Sequence, residues 1–197
     1  TLPKVLRDKK QLYIAESEKY AHVTYFFNGG YADPVGGEDR VMVPSPAVKT
    51  YDLAPAMSSA KITELVVKAI EKREYDVIVM NYANTDMVAH TGNLPASIEA
   101  MEATDACLKK LADAVLAADG LLAVTGDHGN IEELKNDKTG EVDTEHSTNP
   151  VPLYLVSKSF TELKLKPGKL GDVAPTLLRL IGHSVPKEMT GENLVVS

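Results

Sequence analysis

Tryptophan is absent from the 197 residues, cysteine occurs once, and aromatic side chains make up only 6% of the chain. A single cysteine, Cys107, excludes a disulfide framework and fits a reducing compartment. It falls within a helical pattern and reads as a packed small side chain. No stretch is apolar and long enough to cross a bilayer, and no signal peptide opens the sequence, so a cytoplasmic protein is expected. Internal repeats and low-complexity tracts are missing, which excludes solenoid and fibrous architectures. Basic residues are outnumbered 21 to 28, giving a formal charge of −7. That balance argues against nucleic acid or an anionic membrane as the main partner. It leaves room for a small anionic substrate, because bound cations can reverse the field inside one cleft.

What is present is ordinary for a soluble globular domain: 44% apolar and 25% charged residues, enough to bury one core. The first residue is Thr1 rather than methionine, so a processed protein or a piece of a longer one is expected. A short helix is predicted near residues 2–7, then strands at 22–27 and 40–43 joined by a loop rich in Gly, Pro and acidic residues. Ser58 or Ser59 is placed to cap a helix whose apolar residues recur at helical spacing. Strands follow at 76–80, 121–125 and 151–156. Between them lies a long helix over 95–118, and a last helix over 172–181 stops at Gly182. Buried β-branched runs alternating with amphipathic helices predict an α/β fold with its sheet covered on both faces, and ligands collecting where strands end.

The polar clusters fall at those strand ends. Asp86 and His90 are four apart, so one helical turn puts a carboxylate and an imidazole on the same side; a surface pair capping a helix has the same spacing. Asp127 and His128 sit between glycines directly after a buried strand, where backbone and ions can approach closely; a turn in which Asp127 caps local amides is the alternative. Asn130 is expected to orient that loop. His146 lies in a polar loop just before the third buried strand, while His22 and His183 read as structural or exposed. Carboxylates and imidazoles without thiolates suit Mn²⁺ or Zn²⁺. Five such ligands are too many for one open tetrahedral ion and about right for a two-metal site of the kind that clamps in-line displacement at phosphorus. No nucleophile is evident: Ser45, Ser58, Ser59 and Ser147 qualify by type only. Lys19, just ahead of the predicted strand at 22–27, is suited to meeting a phosphate, although a solvated surface charge is the ordinary expectation for it.

Taken in order, the segments at 18–24 and 27–30, Pro44-Ser45-Pro46, the segments at 81–92 and 127–130, and the stretch from His146 to Pro152 closely resemble the C-terminal portion of cofactor-independent (2,3-bisphosphoglycerate-independent) phosphoglycerate mutases. The likeness spans nearly the whole chain. It implies an alkaline-phosphatase-like fold and interconversion of 3- and 2-phosphoglycerate through a phosphoserine enzyme, on a small phosphorylated three-carbon acid. By resemblance, Asp86, His90 and His146 hold one Mn²⁺, Asp127 and His128 contribute to a second (Zn²⁺ or another divalent ion serving as substitute), and Lys19 lies beside nucleophile and phosphate. Ala89 stands where the family usually has glycine, and Gly126 where it often has alanine or serine. The resemblance also implies that residues 1–197 are the C-terminal segment of a discontinuous phosphatase domain. On that reading the nucleophilic serine, a further aspartate ligand and an inserted transferase domain lie outside this sequence. The full-length enzyme is expected to be monomeric, and this piece to be inactive alone and prone to self-association. Another phosphomutase or metallophosphatase of the same superfamily, or a metal-binding module without activity, are the alternatives.

Overall fold

The structure, a computed structural model, describes residues 1–135, 139–160 and 162–196. At its centre lies β1 (Gln11–Glu16), buried along its whole length. It pairs in parallel with β2 (Glu38–Val43) on one side and β3 (Val77–Met80) on the other, so that Tyr13 stands opposite both Arg40 and Val79. Alternation along β1 divides its side chains between two layers. Leu12 and Ile14 join Val43, Ile62, Val66, Ala69 and Leu111 in the main core, which puts α2 (Ser59–Glu71) and α4 (Leu94–Ala117) on that face. Gln11 and Tyr13 face the opposite way. The Gln11 amide donates to the carbonyls of Pro3 and Leu6 at 3.3 and 2.8 Å, in and just beyond α1 (Leu2–Val5), and accepts from the Tyr13 hydroxyl at 2.7 Å. The Tyr13 ring lies 5.9 Å from that of Phe27. Parallel strands covered on both faces are the α/β arrangement that the sequence predicts.

Two differences from the sequence reading have physical causes. No strand is predicted at 11–16, yet this is the most buried strand of the protein. Its polar ends, Gln11 and Glu16, are both 0% exposed and break the apolar run that would have marked it. Residues 22–27, expected as a strand, are helical instead: His22–Phe26 forms a π-helix continuing from the 3₁₀ turn Ser17–Lys19. The strand preference of aromatic and β-branched residues depends on context, and here the segment continues the 3₁₀ turn before it rather than joining the sheet. The segment closes on itself through Thr24 Oγ1 donating to the Tyr20 carbonyl at 2.7 Å. It ends at Gly29 and Gly30, whose φ values of 78° and 86° suit glycine.

Elsewhere the differences are small. The Ser58 hydroxyl does not cap α2 but donates to the Pro44 carbonyl at 2.8 Å, and α4 is capped by Asn93, which accepts from the Ala96 amide. A two-stranded antiparallel sheet pairs β4 (Leu122–Thr125) with β5 (Leu153–Val156). After α5 (Val173–Leu180), Gly182 turns the chain with φ 72°. Among the described residues, β3 and β4 each keep one edge without a strand partner, and both edges line the same cavity of about 640 Å³. Leu108 and Leu111 of α4 and Leu177 and Leu178 of α5 line it too. Its polar end is formed by the residues that follow β3 and β4.

Candidate metal centre

The segment after β3 turns into α3 (Asn84–Ala89), which is fixed to α4 by Asn84: its side-chain amide donates to the Ala100 carbonyl at 2.8 Å and to Thr104 Oγ1 at 2.9 Å. Val88 and Ala89 are fully buried, so the extra methyl of Ala89 is accommodated. Seated in this way, α3 points Asp86 and His90 from one turn toward the loops after β4. Gly92, at φ 68°, has no room for a β-carbon because Val142 lies against it. That close approach brings Thr144 within reach of His90. The Thr144 carbonyl, which only accepts, lies 2.7 Å from His90 Nδ1. Nδ1 therefore carries a proton toward Thr144, and Nε2 is turned inward toward Asp86 and His146, the arrangement of an outer partner orienting a ligand imidazole.

Three ligand atoms converge there. Asp86 Oδ1 is 3.1 Å from His90 Nε2 and 3.4 Å from His146 Nε2, and the two imidazole nitrogens are 3.1 Å apart. For metal–ligand bonds of about 2.0–2.2 Å, neighbouring ligand atoms on one ion stand about 3–3.5 Å apart, so the donor set and its spacing fit a divalent cation. Lys19 is not a solvated surface charge: it is 9% exposed and its Nζ donates to Asp86 Oδ2 at 2.6 Å. Asn130, 4% exposed, donates to Asp86 Oδ1 at 2.8 Å. Burial pushes the Asp86 carboxyl upward, but the bonds from Lys19 and Asn130 outweigh it and hold it below the usual aspartate range. His128 stacks on His146 with ring centroids 3.7 Å apart. Asp127 stands outside the triad, more exposed, with Oδ1 3.7 Å from His128 Nε2. Gly126 packs near Val151, whose Cγ1 would lie 3.2 Å from an added β-carbon.

Glu132, Ser147 and Asn149 were not anticipated as a group. The Glu132 carboxylate accepts from the Asn130 amide at 2.7 Å, from Ser147 Oγ, and from the Asn149 side chain at 3.1 Å. Burial raises its pKa, but these hydrogen bonds prevail and bring it down to about 2. Because the folded value lies below the unfolded one, the stabilisation is fully present above the ordinary glutamate range and is lost as pH falls toward about 2. The stability difference between the protein and Glu132→Gln is thus expected to be flat above about pH 5 and to shrink toward pH 2. Urea titrations at stepped pH measure it, and a pH-independent difference would contradict it.

The Metalloenzyme superfamily model matches residues 3–185. The 2,3-bisphosphoglycerate-independent phosphoglycerate mutase of Psychrobacter arcticus is 52% identical over 191 residues, which is 97% of this chain but 34% of that protein. The protein of the same name from Acetivibrio thermocellus is 52% identical over 187 residues, 95% of this chain and 36% of its own length. Among solved structures, "Crystal structures of Leishmania mexicana phosphoglycerate mutase at low cobalt concentration" superposes with a TM-score of 0.87 at 32% identity, covering 96% of this chain and 37% of that one. The fold is thus alkaline-phosphatase-like, and the chain spans about a third of the length of the curated relatives it matches.

Proposed function

The chain belongs to the metalloenzyme superfamily, and on that premise we propose that it is the metal-binding part of a cofactor-independent phosphoglycerate mutase. The reaction proposed for the whole protein interconverts 3-phosphoglycerate and 2-phosphoglycerate through a phosphoserine enzyme. The observation that carries this reading is the triad of Asp86, His90 and His146, with His90 Nε2 turned inward by the contact of Nδ1 with the Thr144 carbonyl. Those three residues would hold one divalent ion, and Asp127 and His128 would contribute to a second. Once bound, such ions supply charge neutralisation at phosphorus and ease deprotonation of a serine hydroxyl. Mn²⁺ is the proposed metal, with Zn²⁺ as an alternative; the cobalt named for the Leishmania mexicana structures agrees with a first-row divalent ion.

The protein's own groups have distinct tasks. Asn130 keeps Asp86 Oδ1 turned toward the imidazoles, since the same oxygen accepts its amide and lies against both rings. Lys19 neutralises Asp86 Oδ2 and, at the polar end of the cavity, is placed to donate to a phosphate oxygen. The serine nucleophile, the remaining aspartate ligand and the substrate-holding transferase domain belong, in this proposal, to segments outside these 197 residues. Residues 1–197 would then be one segment of a discontinuous phosphatase domain in a monomeric cytoplasmic enzyme. The expected outcome is binding without turnover: titration with Mn²⁺ gives saturable binding, while a coupled assay with 3-phosphoglycerate gives no mutase activity from this chain alone. Turnover by the isolated chain would sink the assignment of the nucleophile, and failure to bind Mn²⁺ would sink the metal site.

A further inference from the structure

His128 and Asn130 follow β4 directly, whereas His146 comes from a separate loop before β5. The first loop reaches the triad through Asn130, which donates to Asp86 Oδ1, and the second carries His146, so their register bears on whether three ligand atoms meet within 3.4 Å. The backbone contributes one link, the Ser147 amide donating to the Gly129 carbonyl at 2.9 Å. Further links run through Glu132, whose two carboxylate oxygens serve different loops, while Asn149 Nδ2 also donates to Glu133 Oε2 at 3.2 Å. Glu132 Oε2 accepts from the Asn130 backbone N–H at 2.7 Å. Oε1 accepts from Ser147 Oγ and, at 3.1 Å, from Asn149 Nδ2. On one side Asn130 continues to Asp86 Oδ1; on the other Ser147 is the immediate neighbour of His146. Gly129 makes the junction sterically feasible, because a β-carbon there would run into both Ser147 Oγ and Glu132 Oε1.

We propose that Glu132 is a positioning residue of the metal centre: its carboxylate staples the loop bearing His128 and Asn130 to the loop bearing His146, and so sets the separation of the ligand atoms without ligating the ion. The inference rests on the reading of Asp86, His90 and His146 as a metal site. A carboxylate accepts from all three partners at once, whereas a glutamine keeps a single acceptor oxygen. Gln at this position would turn an amide N–H toward one of them and break one side of the staple. Outer partners of metal ligands typically change affinity by about 10–100-fold, and that is the expected weakening of Mn²⁺ binding in Glu132→Gln.

The test uses the 197-residue chain with Mn²⁺ and Co²⁺ as probes, comparing the parent with Glu132→Gln, Gly129→Ala, Ser147→Ala and, as control, Asp86→Asn. Calorimetry gives the Mn²⁺ dissociation constant, Co²⁺ absorption reports the geometry of the ligand set, and thermal melts without metal report folding. Expected are about 10–100-fold weaker Mn²⁺ binding in Glu132→Gln and Gly129→Ala, a smaller weakening in Ser147→Ala, and an altered Co²⁺ spectrum in all three. A purely structural role would lower the metal-free melting temperature and leave the Co²⁺ spectrum of the folded protein unchanged; that result overturns the proposal. Parent-like binding by these variants while Asp86→Asn loses it also overturns the proposal but leaves the metal site standing. Binding unaffected by Asp86→Asn overturns the site itself and the proposal with it. Should Glu132→Gln fail to fold, Ser147→Ala, which deletes a single hydroxyl from a surface loop, decides in the same terms.

Discussion

Asp86→Asn is expected to weaken Mn²⁺ binding by more than about 100-fold, beyond the upper end of what loss of an outer partner costs. Asp86 is the one carboxylate of the triad, and its Oδ1 faces both imidazole nitrogens. The same substitution also strands Lys19, whose side chain is 11% exposed and whose Nζ lies 2.6 Å from Asp86 Oδ2. A charged group deprived of its hydrogen-bond partner costs about 2 kcal/mol, which in a domain of this size lowers the melting temperature by about 4–8 °C. The two effects separate in a double-variant cycle. Lys19→Met removes the cation that competes with a metal for Asp86, so Mn²⁺ is expected to bind at least as tightly as in the parent, while affinity for inorganic phosphate falls. The double variant should recover stability and still fail to bind metal. If Asp86→Asn alone retains parent-like affinity, Asp86 is not a ligand; if the double variant recovers binding, the loss arose from misfolding around Lys19.

Why Asp86 and His90 could be paired from sequence while Glu132 could not is a matter of distance along the chain. A four-residue spacing converts into geometry as soon as one helical turn forms, and α3 forms it. The approach of His146 depends on Gly92 yielding to Val142 and on the Glu132 junction, neither of which has a periodic signature. Lys19 illustrates the same limit. A lysine following Glu16 and Glu18 reads as solvated, and its burial follows from the helical segment 17–26, which replaces the strand that aromatic and β-branched composition favours. In the fold, the strands that combine apolar runs with flanking turn residues were legible. β1 was hidden because it buries Gln11 and Glu16 at its ends, whose partners lie outside the strand: the Pro3 and Leu6 carbonyls for Gln11 and, far away in sequence, the Ser58 amide for Glu16. Polar residues with long-range partners look like loop until the partners are known.

The cavity between β3 and β4 leads to the second large effect. Two strand edges without strand partners among the described residues face one space of about 640 Å³. It is lined mainly by apolar side chains from β3, β4, α4 and α5, and it is far larger than voids in close-packed interiors. Exposed strand edges carry rows of free N–H and C=O groups that invite pairing with another chain, and an apolar lining of this extent adds a hydrophobic drive to bury it. The 197-residue chain on its own is therefore expected to self-associate at micromolar concentrations and to bind an apolar dye such as ANS strongly. Sedimentation velocity over a concentration series should show a weight-average mass rising above 21.3 kDa. Replacing Val79 by Lys puts a charge at the cavity wall on β3, whose outer edge has no strand partner among the described residues, as natural edge strands do to discourage pairing. That variant is expected to shift the population back toward monomer and to reduce dye binding several-fold. A clean monomer across the series, with dye fluorescence no higher than that of an ordinary folded domain, would show that the two edges close on each other in solution.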